Sequence, residues 1–271
     1  MALPEFIVSF REFFEIFLLI GIMLAYLTRT NNKAYRGAVW IGIVIASVAS
    51  LAAAWGFSFV RESFQANEAL FEGVTLLLAS LLVTWLIIWM FKQRNVAKQV
   101  ETELKRKIDI GTEAGVALFS FIAVFREGIE LVIFLEGISI SSGGVDLFSA
   151  FLGFALAAAL TFLIFKSIVS LNLKKFFTVT SVLLILLAGG LVSQGVHELE
   201  EAHVLPPLVE HVYALDFSNE PAPHLLAEKG AIGSVLKSLF GYDTSPSLLQ
   251  LLAHFGYFLA TYLLYKKVSQ D

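Results

Sequence analysis

Seven runs of apolar residues, each long enough to cross a lipid bilayer, constrain this 271-residue chain more than any other feature. They cover approximately 5–28, 36–60, 69–91, 111–138, 147–170, 177–197 and 247–265. A hydrocarbon layer of about 30 Å takes roughly 20 apolar residues per helix. Lipid offers no partner to an open backbone group, so each run is expected to be an α-helix. The composition agrees: 57% of residues are hydrophobic and only 15% charged, with a mean hydropathy of +0.78. A soluble globule of this length has too little interior to hide so many long apolar segments. Met1 to Phe6 carries no basic cluster, and the first run is too long for a cleaved leader, so it reads as a retained span.

Orientation follows from lysine and arginine in the connections. Fourteen of the nineteen fall on one side: Arg29, Lys33 and Arg36; Lys92, Arg94, Lys98, Lys105, Arg106 and Lys107; Lys166, Lys174 and Lys175; Lys266 and Lys267. The other side holds Arg61, Lys229 and Lys237, while Arg11 and Arg126 lie inside spans. The expected topology has the N-terminus outside and the C-terminus in the cytoplasm. Trp40, Trp55, Trp85 and Trp89 fall toward span ends, as an aromatic belt does. The external connection, about 198–246, contains Pro206, Pro207, Pro221, Pro223 and Pro246. Within it, Leu225 to Phe240 alternates at helical spacing, which reads as an interfacial helix or a short re-entrant one.

Two copies of one motif interrupt the apolar pattern. Phe10-Arg11-Glu12-x-x-Glu15 recurs as Phe125-Arg126-Glu127-x-x-Glu130. Each opens a group of three spans, and an odd number gives the two groups opposite topology. The expected architecture is therefore all-α: one transmembrane domain over 1–271, with repeat one at about 5–91, an inverted repeat two at about 111–197, and a last helix at about 247–265. Inverted repeats of this kind place a substrate site at their interface near the midplane.

Ionisable side chains deep in a span cost on the order of 3 kcal/mol each. On a helix Arg11 and Glu15 are i,i+4 neighbours and Glu12 and Glu15 are i,i+3 neighbours. The same holds for Arg126, Glu127 and Glu130. If spans one and four pack together, Glu12, Glu15, Glu127 and Glu130 converge, and a hard cation relieves their repulsion. The arginines hold the carboxylates and partly neutralise them. The alternative is that each Arg–Glu pair staples helices together. With no cysteine, a thiolate site is excluded and oxygen ligands point to hard metals.

These doubled motifs, in a seven-span chain, resemble the oxidase-dependent iron transporters, the high-affinity iron permease family with its bacterial Efe-type branch. Supporting pieces are Phe71-Glu72-Gly73, Trp89-Met90, Gly195-Val196-His197-Glu198-Leu199 and Gly241-Tyr242-Asp243-x-x-Pro246-Ser247-Leu248-Leu249-Gln250. The resemblance covers nearly the whole chain. It implies that Glu12, Glu15, Glu127 and Glu130 bind iron in transit beside essential Arg11 and Arg126. It also implies iron as cargo rather than cofactor, and external partners: an iron oxidase or peroxidase and a periplasmic iron-binding protein. The first motif departs from the usual pattern, with Phe13-Phe14 where the second has Gly128-Ile129.

Other acidic groups sit at span ends. Glu72, one turn after Glu68, is either a solvated helix start or an approach ligand. His197, Glu198, Glu200, Glu201 and His203 crowd the end of span six, as a solvated terminus or a cation-capturing mouth. Glu136 and His254 read as satisfied structural groups. Competing functions are a permease for lead or manganese and a membrane di-iron enzyme. The second lacks the paired Glu-x-x-His motifs that such bundles use. No phosphate-binding loop points to ATP and no basic tract to nucleic acid, and a homo-oligomer is compatible with the sequence.

Overall fold

Apolar side chains over most of the chain, with few glycine or proline breaks inside the runs, favour continuous helices. The computed structural model describes residues 3–63, 67–92, 96–166, 172–206, 208–215, 226–227 and 231–270. Among them the order is α1 (Leu3–Arg29), α2 (Arg36–Ser63), α3 (Glu68–Lys92), α4 (Val96–Asp109), α5 (Glu113–Ser142), α6 (Leu147–Phe165), α7 (Leu173–Glu201), α8 (Ala231–Phe240) and α9 (Leu248–Gln270), with a 3-10 turn at Lys33–Tyr35. No strand occurs among the described residues. Arg94, Lys229, Pro207, Pro221, Pro223 and Leu225 lie outside them.

The seven apolar runs coincide with α1, α2, α3, α5, α6, α7 and α9. Five helical stretches are long and apolar enough to cross a membrane: Lys33–Arg61, Glu68–Trp85, Leu147–Phe165, Lys175–Glu201 and Leu248–Lys267. The charges of the two motifs keep α1 and α5 out of that set, although both exceed the length a span needs.

Helix ends follow their local chemistry. Asp146 caps α6 by accepting from the Phe148 and Ser149 backbone N–H groups, and Asn172 caps α7 through the Lys175 N–H. Gly143, at φ +76°, terminates α5 in the left-handed region.

The main contacts exchange partners between the two halves: α1 lies on α6, α5 on α2, and α3 on α7, while α1 also meets α5. Small residues make these approaches possible. On α6 the buried Ser149, Gly153, Ala157 and Thr161 recur every fourth position. A Cβ at Gly153 would stand 2.6 Å from the Phe6 carbonyl oxygen and 2.7 Å from the Phe10 nitrogen. On α2 the equivalent stripe is Gly42, Ala46 and Ser50. A Cβ at Gly42 would press on Ala117, Ser120 and Phe121 of α5. Between α3 and α7, Ser80 Oγ donates to the Ala188 carbonyl at 3.0 Å.

Two helices depart from a plain seven-helix reading. The amphipathic α4 occupies the connection read from sequence as a basic loop. It buries Val100 and Leu104 against Met23, Leu27 and Val116, and Glu101 pairs with Arg29 at 3.2 Å. The second is α8, which packs beside α7, α1 and α5. A Cβ on Gly241 would collide with Gly190 of α7, eleven residues before Glu201 and so on the order of 16 Å from that helix end. Of the two readings of this segment, the packing favours re-entry over lying flat on the membrane surface. Trp40, Trp55 and Trp85 are exposed on the outer face of the bundle, as lipid-facing belts require; the Trp89 side chain is outside the described set.

Candidate metal centre

The motif helices α1 and α5 meet, and their charged side chains turn inward. Arg11 and Glu12 are fully buried and Glu127 is 2% exposed. Carboxylate oxygens of Glu12, Glu127 and Glu130 lie within 4.8 Å of one another. Among the described residues this is the only group of three His, Asp or Glu side chains so disposed. Glu15 stands beside the trio rather than within it. Its carboxylate lies 3.0 Å from Arg11 Nη2, while Arg11 Nη1 contacts Glu12. On the other helix Arg126 is forked in the same way, with Nη2 3.1 Å from Glu127 and Nε donating to Glu130 at 3.1 Å. One guanidinium thus orients both carboxylates of its own motif, which a planar multi-donor group does well.

Every carboxylate of the two motifs keeps one oxygen without a hydrogen-bond partner among the described residues, and within the trio these are Glu12 Oε2, Glu127 Oε2 and Glu130 Oε2. Buried polar atoms are nearly always paired, and an orphan calls for an explanation. Three such atoms, one from each member of a close trio, make an oxygen-only nest suited to a hard cation.

Aromatic rings wall off the first motif. Phe13 meets Phe154 of α6 edge-on at 4.8 Å, and Phe14 lies 4.6 Å from Phe176 of α7. The bulk of Phe13-Phe14 is therefore directed at α6 and α7. In the second motif Gly128 faces Ser50 of α2, with no room for a Cβ.

The other sequence candidates lie apart from the cage, and Glu68, Glu72, His197, Glu198 and Glu201 are neighbours of one another. Glu72 pairs with Arg61 at 2.9 Å. His197 and Glu201 pair at 3.3 Å one helical turn apart, with Glu198 electrostatically close to Glu201 and Glu72. His203 follows the helix end at φ +56°. Glu200 separates from this group, burying itself to accept from Ser247 Oγ at 2.7 Å. It thereby ties α7 to the capped start of α9, where Ser247 N–H donates to Gln250 and Gln250 Nε2 to Asp243. The Gly241-to-Gln250 segment is thus a structural clasp. His254 hydrogen-bonds the Gly189 carbonyl at 3.0 Å, the satisfied role expected of it. Sequence reasoning passed over Glu5 and Ser9, both buried on α1; the spacing 5, 9, 12 along one helical face was the signal.

The family model for the Iron permease FTR1 family matches residues 2–268. The chain belongs to that family. Its members are permeases, transporters rather than enzymes. Among relatives, an uncharacterized protein of Archaeoglobus fulgidus is 33% identical over 261 residues, covering 94% of this chain and 91% of its own. The ferrous iron permease EfeU of Escherichia coli O6:H1 is 32% identical over 259 residues, with the same two coverages. Its namesake in Yersinia pestis is 30% identical over 268 residues, or 96% and 92%. No solved structure matches. In this permease the motif pair and its trio of free oxygens lie where α1 and α5 meet.

Proposed function

We propose that this permease carries iron across the cytoplasmic membrane through the cage of Glu12, Glu127 and Glu130, with Glu15 as a fourth carboxylate on the path. The observation that carries the reading is the buried trio within 4.8 Å, each member offering an unpartnered oxygen. Arg11 and Arg126 hold the carboxylates open to the ion and lower the repulsion between them. Family membership and the relatives' names point the cargo to iron.

The finer reading has seven crossing helices in a 3+3 inverted repeat plus α9, with the N-terminus outside and the C-terminus cytoplasmic. Its support is the exchanged packing of α1 on α6 and α5 on α2 and the one-sided distribution of basic residues. A site at the meeting of the two first helices fits such a repeat. The ion delivered is ferric, supplied by an external oxidase or peroxidase with a periplasmic iron-binding partner. That rests on the family resemblance and on the fit of oxygen-only ligands to a hard ion.

Radiolabelled iron uptake in a strain lacking other iron importers tests the reading. Glu15→Ala and Glu127→Ala are expected to abolish uptake while the protein still reaches the membrane. Unchanged uptake in either variant overturns the carboxylate mechanism. Offering ferrous iron under anoxia against ferric iron in air separates the two oxidation states, and competition by manganese or lead tests the choice of metal.

A further inference from the structure

Two buried polar groups on α1 take no part in the cage. Glu5 is 2% exposed and Ser9 is fully buried. Glu5 Oε1 accepts the Asp146 backbone N–H at 3.3 Å. Neither Glu5 Oε2 nor Ser9 Oγ has a hydrogen-bond partner among the described residues. An unsatisfied hydroxyl costs about 1–3 kcal/mol, and a charged group more. Two on one short stretch call for a guest that satisfies them.

Their placement is ordered. Positions 5, 9 and 12 are separated by four and three residues and share one face of α1. The helical rise puts Glu5 roughly 10 Å along the axis from Glu12, with Ser9 between them. At Ser9 the neighbouring backbone is Gly153 of α6, where an added Cβ would lie 3.1 Å from Ser9 Cβ. The Asp146 carboxylate beside Glu5 is engaged in capping α6, through the Phe148 and Ser149 N–H groups and Ser149 Oγ. Glu5 is thus positioned by a backbone donor, and its second oxygen stays free.

The two ends of α1 differ in their surroundings. Toward the other end of α1, Met23 and Leu27 are sealed by Val100, Leu104 and Val116. Ser120 of α5, a buried hydroxyl on that side, is satisfied by the Val116 carbonyl at 2.9 Å, while Thr161 Oγ1 of α6 has no partner among the described residues.

We propose that Glu5 and Ser9 form a second stop for the same hard cation, one step before the Glu12–Glu127–Glu130 cage on the N-terminal side of α1. This deepens the permease reading and rests on it. Conduction through successive weak sites lets an ion bind well enough to enter and loosely enough to leave. A lone buried cage surrounded by apolar side chains lacks that approach.

The test is iron uptake against concentration by cells expressing the full chain and lacking other importers. Glu5→Gln keeps an acceptor for the Asp146 N–H and removes the charge, so a purely structural role survives it. The expected result is a half-saturating iron concentration raised about tenfold, with maximal rate and membrane level retained. Unchanged half-saturation overturns the second stop. If Glu5→Gln does not accumulate, Ser9→Ala takes its place with the same two outcomes. Glu127→Ala measured in parallel keeps the readings apart: retained uptake there removes the cage itself, whatever Glu5 does.

Discussion

Gly128 of α5 lies so close to Ser50 of α2 that any side chain at 128 would occupy the position of the Ser50 hydroxyl. The glycine sits between Glu127 and Glu130, so the spacing of α2 and α5 and the aim of both carboxylates are set at one point. Gly128→Leu is expected to force the helices apart, at a cost of about 1–3 kcal/mol for overpacking, and to abolish uptake. The pairing Gly128→Ala with Ser50→Gly returns the volume and should recover activity relative to Gly128→Ala alone. Uptake rates normalised to membrane protein level check both.

Arg11 contacts Glu12 and Glu15 through different nitrogens of one planar group. A lysine at this position keeps the charge but offers a single point of attachment. Arg11→Lys is therefore expected to lose uptake nearly as fully as Arg11→Ala, which a role limited to charge neutralisation does not produce. Iron binding by the purified variants, measured as metal per chain after desalting, separates failure to bind from failure to move the ion.

Arg61 and Glu72 join α2 to α3 at 2.9 Å. Both are partly exposed, so the pair contributes on the order of 1 kcal/mol or less. Glu72→Gln is expected to leave maximal uptake close to that of the unaltered chain, unlike Glu130→Gln, which removes an oxygen of the trio. The charge-swapped double variant Arg61→Glu with Glu72→Arg should regain the stability that each single variant loses. Thermal unfolding in detergent measures the coupling.

Much of this arrangement was legible in the residues. Hydrophobic length alone located the helices that became α1, α2, α3, α5, α6, α7 and α9, because lipid makes helix the answer wherever the apolar run is long enough. The motif spacing located Arg11, Glu12, Glu127 and Glu130, since i,i+3 and i,i+4 neighbours share a face wherever the helix lies. Glu15's place beside the trio was not legible. Glu12 and Glu15 are both held by one guanidinium, and only the three-dimensional approach of α5 decides which carboxylate faces the partner helix. Glu5 was hidden for a related reason: near a chain end an acid reads as a favourable helix start, and its burial depends on α6 arriving at Gly153. The basic residues of α4 read as a loop, although Val96, Val100 and Leu104 recur at four-residue spacing along it.

That spacing yields the last expected outcome. Leu104 is completely buried on the apolar stripe of the amphipathic α4, and its neighbours are Met23, Leu27 and Val116 from both motif helices. The helix therefore covers this end of the contact between α1 and α5 with side chains that share no polar group with the cage. Leu104→Ala removes the centre of this seal, and a fully buried leucine truncation costs about 2–5 kcal/mol where the site cannot collapse. If α4 only braces the bundle, uptake falls in proportion to the loss of folded protein. If α4 closes the passage, Leu104→Ala at permissive temperature leaks: preloaded iron leaves proteoliposomes faster than with the unaltered chain, at equal protein content. A rate of efflux that does not change, measured alongside a lowered unfolding temperature, assigns α4 to bracing alone.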